Sequence, residues 1–220
     1  MNTTLASAMF FAGVALCALP AIAQNDAAPD TPPDATSAPM SDELLEQARA
    51  LFEAARGEEC NGAAFGDEPP ADVYAIPFRP SYVADDAPLE EATLIRFSCS
   101  AGAYNESHVY YLSTELDGLR QMSFAEPELD IRYEDDDSEK PVEDMRIIGF
   151  TSGPTLVNSD FVAEEQSIVS HSKWRGLGDA SATGLWLFRD GRFTLVKYEV
   201  DATYDGEINP ETVLDYHTAP

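Results

Sequence analysis

Two periodicities divide the chain. From Ser41 to Gly57 the apolar residues recur at helical spacing, with Leu44, Leu45, Ala48, Leu51, Phe52 and Ala55 on one face. Ser41 offers an N-cap oxygen, Asp42 and Glu43 sit where a helix dipole favours negative charge, and Gly57 supplies a stop. These features predict an amphipathic helix over 41–57 that packs on its own domain's core. After Cys60 the period drops to two. "TLIRFSC" puts Ile95, Phe97 and Cys99 on one side, and "LDIRY" alternates Leu129, Ile131 and Tyr133 with Asp130 and Arg132. "MRIIGF", "QSIVSHS", "GLWLF" and "RFTLVKYEV" are short and rich in β-formers, and Asp-Gly pairs at 117–118, 190–191 and 205–206 mark turns between strands. The expected body, 58–220, is mainly β: antiparallel strands and hairpins, as a sandwich or as two small sheets.

Two segments of that body resemble one another. "FSCSAGAYNESHVYYLSTELDGLRQMSF" and "SKWRGLGDASATGLWLFRDGRFTLVKY" each pass through a glycine-containing turn, an aromatic strand, an Asp-Gly turn and a further strand. With gaps allowed they read as a duplicated β-unit, in too few copies for a solenoid or propeller.

The N-terminus changes the picture of where this body resides. An uncharged apolar run from Leu5 to Leu19 is followed by Pro20 and by Ala21-Ile22-Ala23, the small-x-small pattern of a signal-peptidase site, so cleavage between Ala23 and Gln24 is expected. The rival, a membrane anchor, would want a longer span and flanking charges. The bulky Leu16 before Cys17 argues against lipidation. Residues 24–40, "QNDAAPDTPPDATSAPM", hold almost no large apolar side chain and read as a disordered, acidic, Pro/Ala-rich tether. Cleavage at 23 leaves two cysteines, Cys60 and Cys99, in a chain bound for an oxidising compartment, which favours a disulfide over two buried thiols. A periplasmic or secreted protein follows, with no stable membrane insertion after cleavage.

Charge narrows the partners. Against 13 Lys and Arg stand 40 Asp and Glu, a formal net charge of −27. Such a surface repels phosphate backbones and anionic lipid heads, so nucleic acid is a poor partner, whereas cations, basic proteins or plain solubility remain open; the partner expected is an unknown envelope component or a small ligand.

Candidate chemistry is sparse. Gly176-x-Gly178 opens like a dinucleotide fingerprint, but Ser181 stands where the third glycine belongs and an aromatic strand follows instead of a helix. "RGLGDAS" is therefore expected to be a strand-to-strand turn, with its glycines permitting positive φ and Asp179 bonding the local backbone. In "DATYDGEINPET", Asp201, Thr203, Asp205 and Gly206 fall at calcium-loop positions one, three, five and six, yet Thr212 replaces the bidentate glutamate and the flanks read as strands. An Asp-Gly turn is the preferred reading and a calcium-stabilised loop the rival. "EDDDSE", 134–139, lacks a glycine to fold it round an ion and reads as a solvated loop. His108, His171 and His217 show no ligand spacing, and no Gly-x-Ser-x-Gly occurs. Triads assemble from distant residues, so hydrolysis stays open. Asn105-Glu106-Ser107 is a glycosylation sequon. No cofactor is expected.

The segments "CSAGAYNES", "SFAEPEL" and "RGLGDASATGLWLFRDGRFTLVKY", in this order, resemble the secreted bacterial proteins grouped as domain of unknown function 1176, over roughly Glu58 to His217. Family members tend to be longer, so the chain looks like their later part with a tether and helix in front. The resemblance implies envelope or periplasmic residence in a Gram-negative bacterium and no known activity. It also implies a second disulfide, for which this chain has Ala180 and Tyr204 in place of cysteines. The function expected is that of a cell-envelope binding or interaction module, the alternatives being a periplasmic hydrolase with a non-motif site or a calcium-stabilised structural protein.

Overall fold

The structure, a computed structural model, describes residues 42–60, 65 and 69–216. The expected signal segment, its Ala23/Gln24 cleavage site, the tether, the Ser41 cap and His217 lie outside the described residues. Among the described residues, mainly antiparallel β structure follows one long helix, α1 (Asp42–Arg56). Gly57 closes that helix by donating its amide to the Glu53 carbonyl at 3.1 Å. The buried stripe is narrower than the spacing predicts. Ala48 and Phe52 are buried and Leu44 and Leu45 pack beside them, but Leu51 and Ala55 face solvent.

One sheet contains β1 (Ala71–Phe78), β2 (Glu90–Ala101), β3 (Glu106–Thr114) and β4 (Gly118–Gln121) in that order, with β7 (Thr155–Val157) also paired to β3. The other runs β12 (Glu211–Asp215), β11 (Arg192–Asp201), β10 (Ser181–Arg189), β9 (Ser167–Lys173), β8 (Asp160–Val162). Between β4 and β7 the chain makes a separate hairpin of β5 (Phe124–Tyr133) and β6 (Val142–Gly153). The two mutually similar segments occupy the meanders β2-β3-β4 and β9-β10-β11, one in each sheet.

The first sheet is apolar on both faces, for two different reasons. Ala92, Leu94, Tyr110 and Leu112 meet Ile168, Trp186, Phe188 and Leu195 of the second sheet in the main core. Ile95, Phe97, Cys99, Val109 and Tyr111 point the other way, against Ala48 and Phe52 of α1. Burial on both faces makes the run from His108 to Leu112 continuously buried instead of alternating. Cys60, just past the helix, is disulfide-bonded to Cys99 on β2, so the helix layer is stapled to the sheet it covers. Closing that loop, with a sequence separation of 39, removes on the order of 4 kcal/mol of chain entropy from the unfolded state.

The hairpin β5-β6 covers what the first sheet leaves open. Leu129, Ile131, Val142 and Met145 pack on Ala182, Val200 and Ala202. Trp186 links the three units: its indole N–H donates to the Ala125 carbonyl of β5 at 3.1 Å, and its ring meets Phe124, which in turn meets Tyr110 of β3. Room for that indole comes from Gly184, since a Cβ there would collide with the six-membered ring of Trp186. Gly184→Ala should therefore cost about 1–3 kcal/mol by overpacking, read as a lowered denaturation midpoint with a shifted Trp fluorescence maximum. An unchanged midpoint would contradict this placement of Trp186.

Candidate functional site

Three places gather polar or aromatic side chains that lie far apart in the chain. The first is the crossover between sheets. After β7 the chain leaves the first sheet and enters the second at β8, with only Asn158 and Ser159 between them. Asn158 adopts a left-handed φ of 41°, a conformation that asparagine tolerates better than most residues. Its backbone amide donates to the Glu106 carbonyl at 2.7 Å, and its side-chain oxygen accepts the Glu106 amide at 2.8 Å. Its side-chain nitrogen donates to Asn105 Oδ1 at 2.8 Å and to the His171 carbonyl of β9 at 2.9 Å. Asn105 in turn donates to the Lys173 carbonyl at 2.8 Å. The amide of the glycosylation sequon is thus engaged within the fold.

Ser159 closes the same crossover from the inside. Its Oγ lies 3.0 Å from His108 Nδ1 and accepts the Tyr110 hydroxyl at 2.9 Å, while its backbone N–H points at His108 Nδ1 at 3.3 Å. His108 Nε2 lies 3.4 Å from Glu106 Oε1. A neutral imidazole with its proton on Nε2 satisfies all these contacts, Nδ1 accepting and Nε2 donating. Burial, reinforced by the Arg96 charge and opposed by Glu106, holds the His108 pKa below its ordinary value. Burial likewise holds the Tyr110 hydroxyl well above its ordinary range, so it remains a donor. Arg96 donates to the Ser159 carbonyl at 2.6 Å and pairs with Asp160 at 2.8 Å and Asp72 at 2.7 Å, joining β2, β8 and β1.

Glutamate, histidine and serine in sequence are the ingredients of an acyl-transfer triad. Here Ser159 is 2% exposed and His108 6%, and none of the open clefts described below reaches them. The hydrogen bonds of the serine hydroxyl are taken up by His108 and Tyr110 of β3.

The second place joins the two loops singled out in the sequence. "RGLGDAS" does connect β9 to β10 as a turn, with Gly178 at φ 79° and its amide on the Arg175 carbonyl at 3.0 Å. Asp179 serves the local backbone, as the turn reading expects, through the amides of Ala180 and of its own residue, and it also reaches further. Its buried carboxylate pairs with the Arg175 guanidinium and accepts the Gly206 amide at 2.8 Å. The Arg175 ion pair, then the Gly206 amide, hold that carboxyl well below the usual carboxylate range. Arg175 also donates to the Tyr204 carbonyl at 2.8 Å and lies 5.2 Å from the centre of the Tyr204 ring. An ion pair and a cation–π contact therefore join the loop that carries Ala180 to the loop that carries Tyr204. In the facing loop Asp201 accepts the Thr203 amide and hydroxyl and the Asn209 amide, and Asp205 accepts the Glu207 amide. Asp201, Thr203 and Asp205 line an open cleft of about 310 Å³ beside Glu139 and Glu211, but the carboxylate oxygens of Asp201 are already taken by the turn. Among the described residues no three His, Cys, Asp or Glu side chains come together as metal ligands.

The third place is open. Between β6 and β12 runs a groove of about 370 Å³ whose walls include Phe150 and Tyr216 and whose floor includes Ala125, Phe193, Leu195 and Leu214. Its lining has no Asp, Glu, Lys or Arg, in a chain with 40 acids. Phe150 is 56% exposed, Tyr216 67%, and Ile148 on the same strand 57%. A further cleft of about 360 Å³ lies where the Asp-Gly turns at 117–118 and 190–191 approach Tyr82, and it mixes Arg192 with Glu90 and Leu116.

The sequence pattern marked His108, Asp179 and Asp201 as residues of interest and missed Ser159, Asn158 and the groove. A polar Asn-Ser-Asp between the apolar pairs Leu156-Val157 and Phe161-Val162 was the available signal for the crossover. The groove draws on β5, β6, β11 and β12, so no local motif announces it. Among the described residues no helix is long and apolar enough to cross a membrane.

The network makes stability depend on pH. A histidine whose folded pKa lies below its unfolded value leaves stability intact above about pH 6.5 and removes it as pH falls through that value toward the folded pKa. His108 and, by burial and the Lys173 charge, His171 are both of this kind. The unfolding free energy should decline as pH is lowered from 7.5 to 5, and His108→Gln should flatten that decline. A wild-type profile that is level across this range would contradict the buried neutral imidazole.

A family model described as "Protein of unknown function (DUF1176)" matches residues 18–209, so the matched stretch begins well before Glu58 and stops short of His217. No curated protein and no solved structure matches the chain.

Proposed function

For a chain that belongs to the DUF1176 family, whose description assigns no activity, function has to be read from its own geometry, and we propose that it is an exported binding module of the Gram-negative cell envelope. The observation that carries this reading is the uncharged, aromatic-walled groove between β6 and β12. Binding sites are concave and largely apolar with a few polar groups, and Ser123, Ser152 and Thr194 supply hydroxyls in this lining. Export is supported by the Ala21-Ile22-Ala23 cleavage pattern before Gln24 and by the Cys60–Cys99 disulfide, which suits an oxidising compartment. The facing meanders β2-β3-β4 and β9-β10-β11 support a duplicated β-unit as the origin of the scaffold.

The hydrolase reading has one observation in its favour, the Glu106–His108–Ser159 chain. A nucleophile must reach a carbonyl carbon, and a serine sealed between two sheets does not. Incubating the native protein with a fluorophosphonate probe separates the two readings. The binding module should show no adduct in its intact mass, and stoichiometric modification of Ser159 would replace it with an enzyme.

A further inference from the structure

The groove does not end in a wall. β6 is hydrogen-bonded to β5 on one side, and among the described residues no strand pairs with its other side. β12 likewise pairs with β11 alone. β6 lies beside β12, since the hairpin covers that end of the second sheet, so two strands that each pair on a single side flank one apolar cleft. Strands with an open edge are usually short, charged or covered. The first half of β6 follows that rule with Glu143, Asp144 and Arg146, whereas from Ile147 to Gly153 it carries no charge and exposes Ile148, at the extra position of a bulge, and Phe150.

We infer that the occupant of this groove is an extended, basic polypeptide segment that adds a strand to the edge of β6 and seats its alternate apolar side chains between Phe150, Phe193 and Tyr216. This rests on the binding reading above and names the partner's chemistry. Strand addition supplies main-chain hydrogen bonds from the edge and specificity from pockets at every second side chain; the unpaired side of β6 would supply the first and the groove beside it the second. Charge sets the rest. Glu143 and Asp144 precede the groove on β6, and Glu211 lies at the start of β12, all on the exposed surface. Arg146, the one base within β6, is engaged by Asp130 at 2.7 Å. Lys or Arg flanking the apolar positions of a ligand would meet these carboxylates. A second copy of the chain is disfavoured as occupant by repulsion between two bodies of net charge −27.

A random nonapeptide phage library, selected on the oxidised full-length protein, tests the inference. Enrichment of alternating apolar residues with Lys or Arg between or beside them is expected. The synthetic winner should lose at least tenfold in affinity against Phe150→Ser/Tyr216→Ser, a pair of exposed positions. Its binding should slow hydrogen exchange of β6 amides, and affinity should fall as salt rises. Winners that are acidic, or that bind without protecting β6, would overturn strand addition. Saturable binding of the neutral dye Nile red, abolished by the same double variant but with no peptide enriched, would overturn it while leaving the binding module in place. Neither peptide nor dye bound would sink both. A dimer at micromolar concentration dissociated by Phe150→Ser/Tyr216→Ser would assign the groove to a second copy instead.

Discussion

Everything in this fold depends on how one dipeptide crosses between two sheets. Asn158 and Ser159 take the chain from β7 to β8, and at that point backbone groups leave both ladders and must find partners in the interior. An unpaired buried amide or carbonyl costs about 1–3 kcal/mol. The crossover meets that demand with side chains: Asn158 bridges Glu106 on one sheet and His171 on the other, and Arg96 takes the Ser159 carbonyl. His108 and Tyr110 are buried because Ser159 is there to bond them. The same residues that suggest a hydrolytic triad are accounted for by the folding problem they solve.

The apolar layers follow from that junction. Once the sheets are joined at one edge, Leu94, Tyr110 and Leu112 can close on Trp186 and Phe188, and the outer face of the first sheet still needs a cover, which α1 and the Cys60–Cys99 bridge provide. The second sheet is broader than the first covers, so the hairpin β5-β6 lies on the remainder. That hairpin is the one sheet with no third strand among the described residues, and the groove lies between it and the second sheet. The candidate binding surface is a consequence of how the core was completed.

What the sequence disclosed, and what it concealed, divides along physical lines. Period-two runs such as "TLIRFSC" and the Asp-Gly turns at 117–118 and 190–191 are local signals and appear in the fold as read. "ADVYAIPF" became β1 despite Pro77 because it lies at an edge, where a missing amide donor is tolerated. The three-residue strands β7 and β8 have no period to detect. The side of Ile95, Phe97 and Cys99 was legible, but not that their partner is the helix, because alternation reports a face and not what covers it. Arg175–Asp179, Asn158–Asn105 and the groove are tertiary juxtapositions, invisible to spacing.

Native-state hydrogen exchange of the Asn158→Ala variant bears most directly on the claim that the crossover joins the sheets. Loss of the bridging amide, with alanine forced into a left-handed φ, should lower the opening free energy of β8 and β9 amides by about 2 kcal/mol or more while leaving the α1 and β2 amides beside the disulfide less affected. Protection that is unchanged at β9, or lost uniformly over both sheets and the helix, would contradict the account.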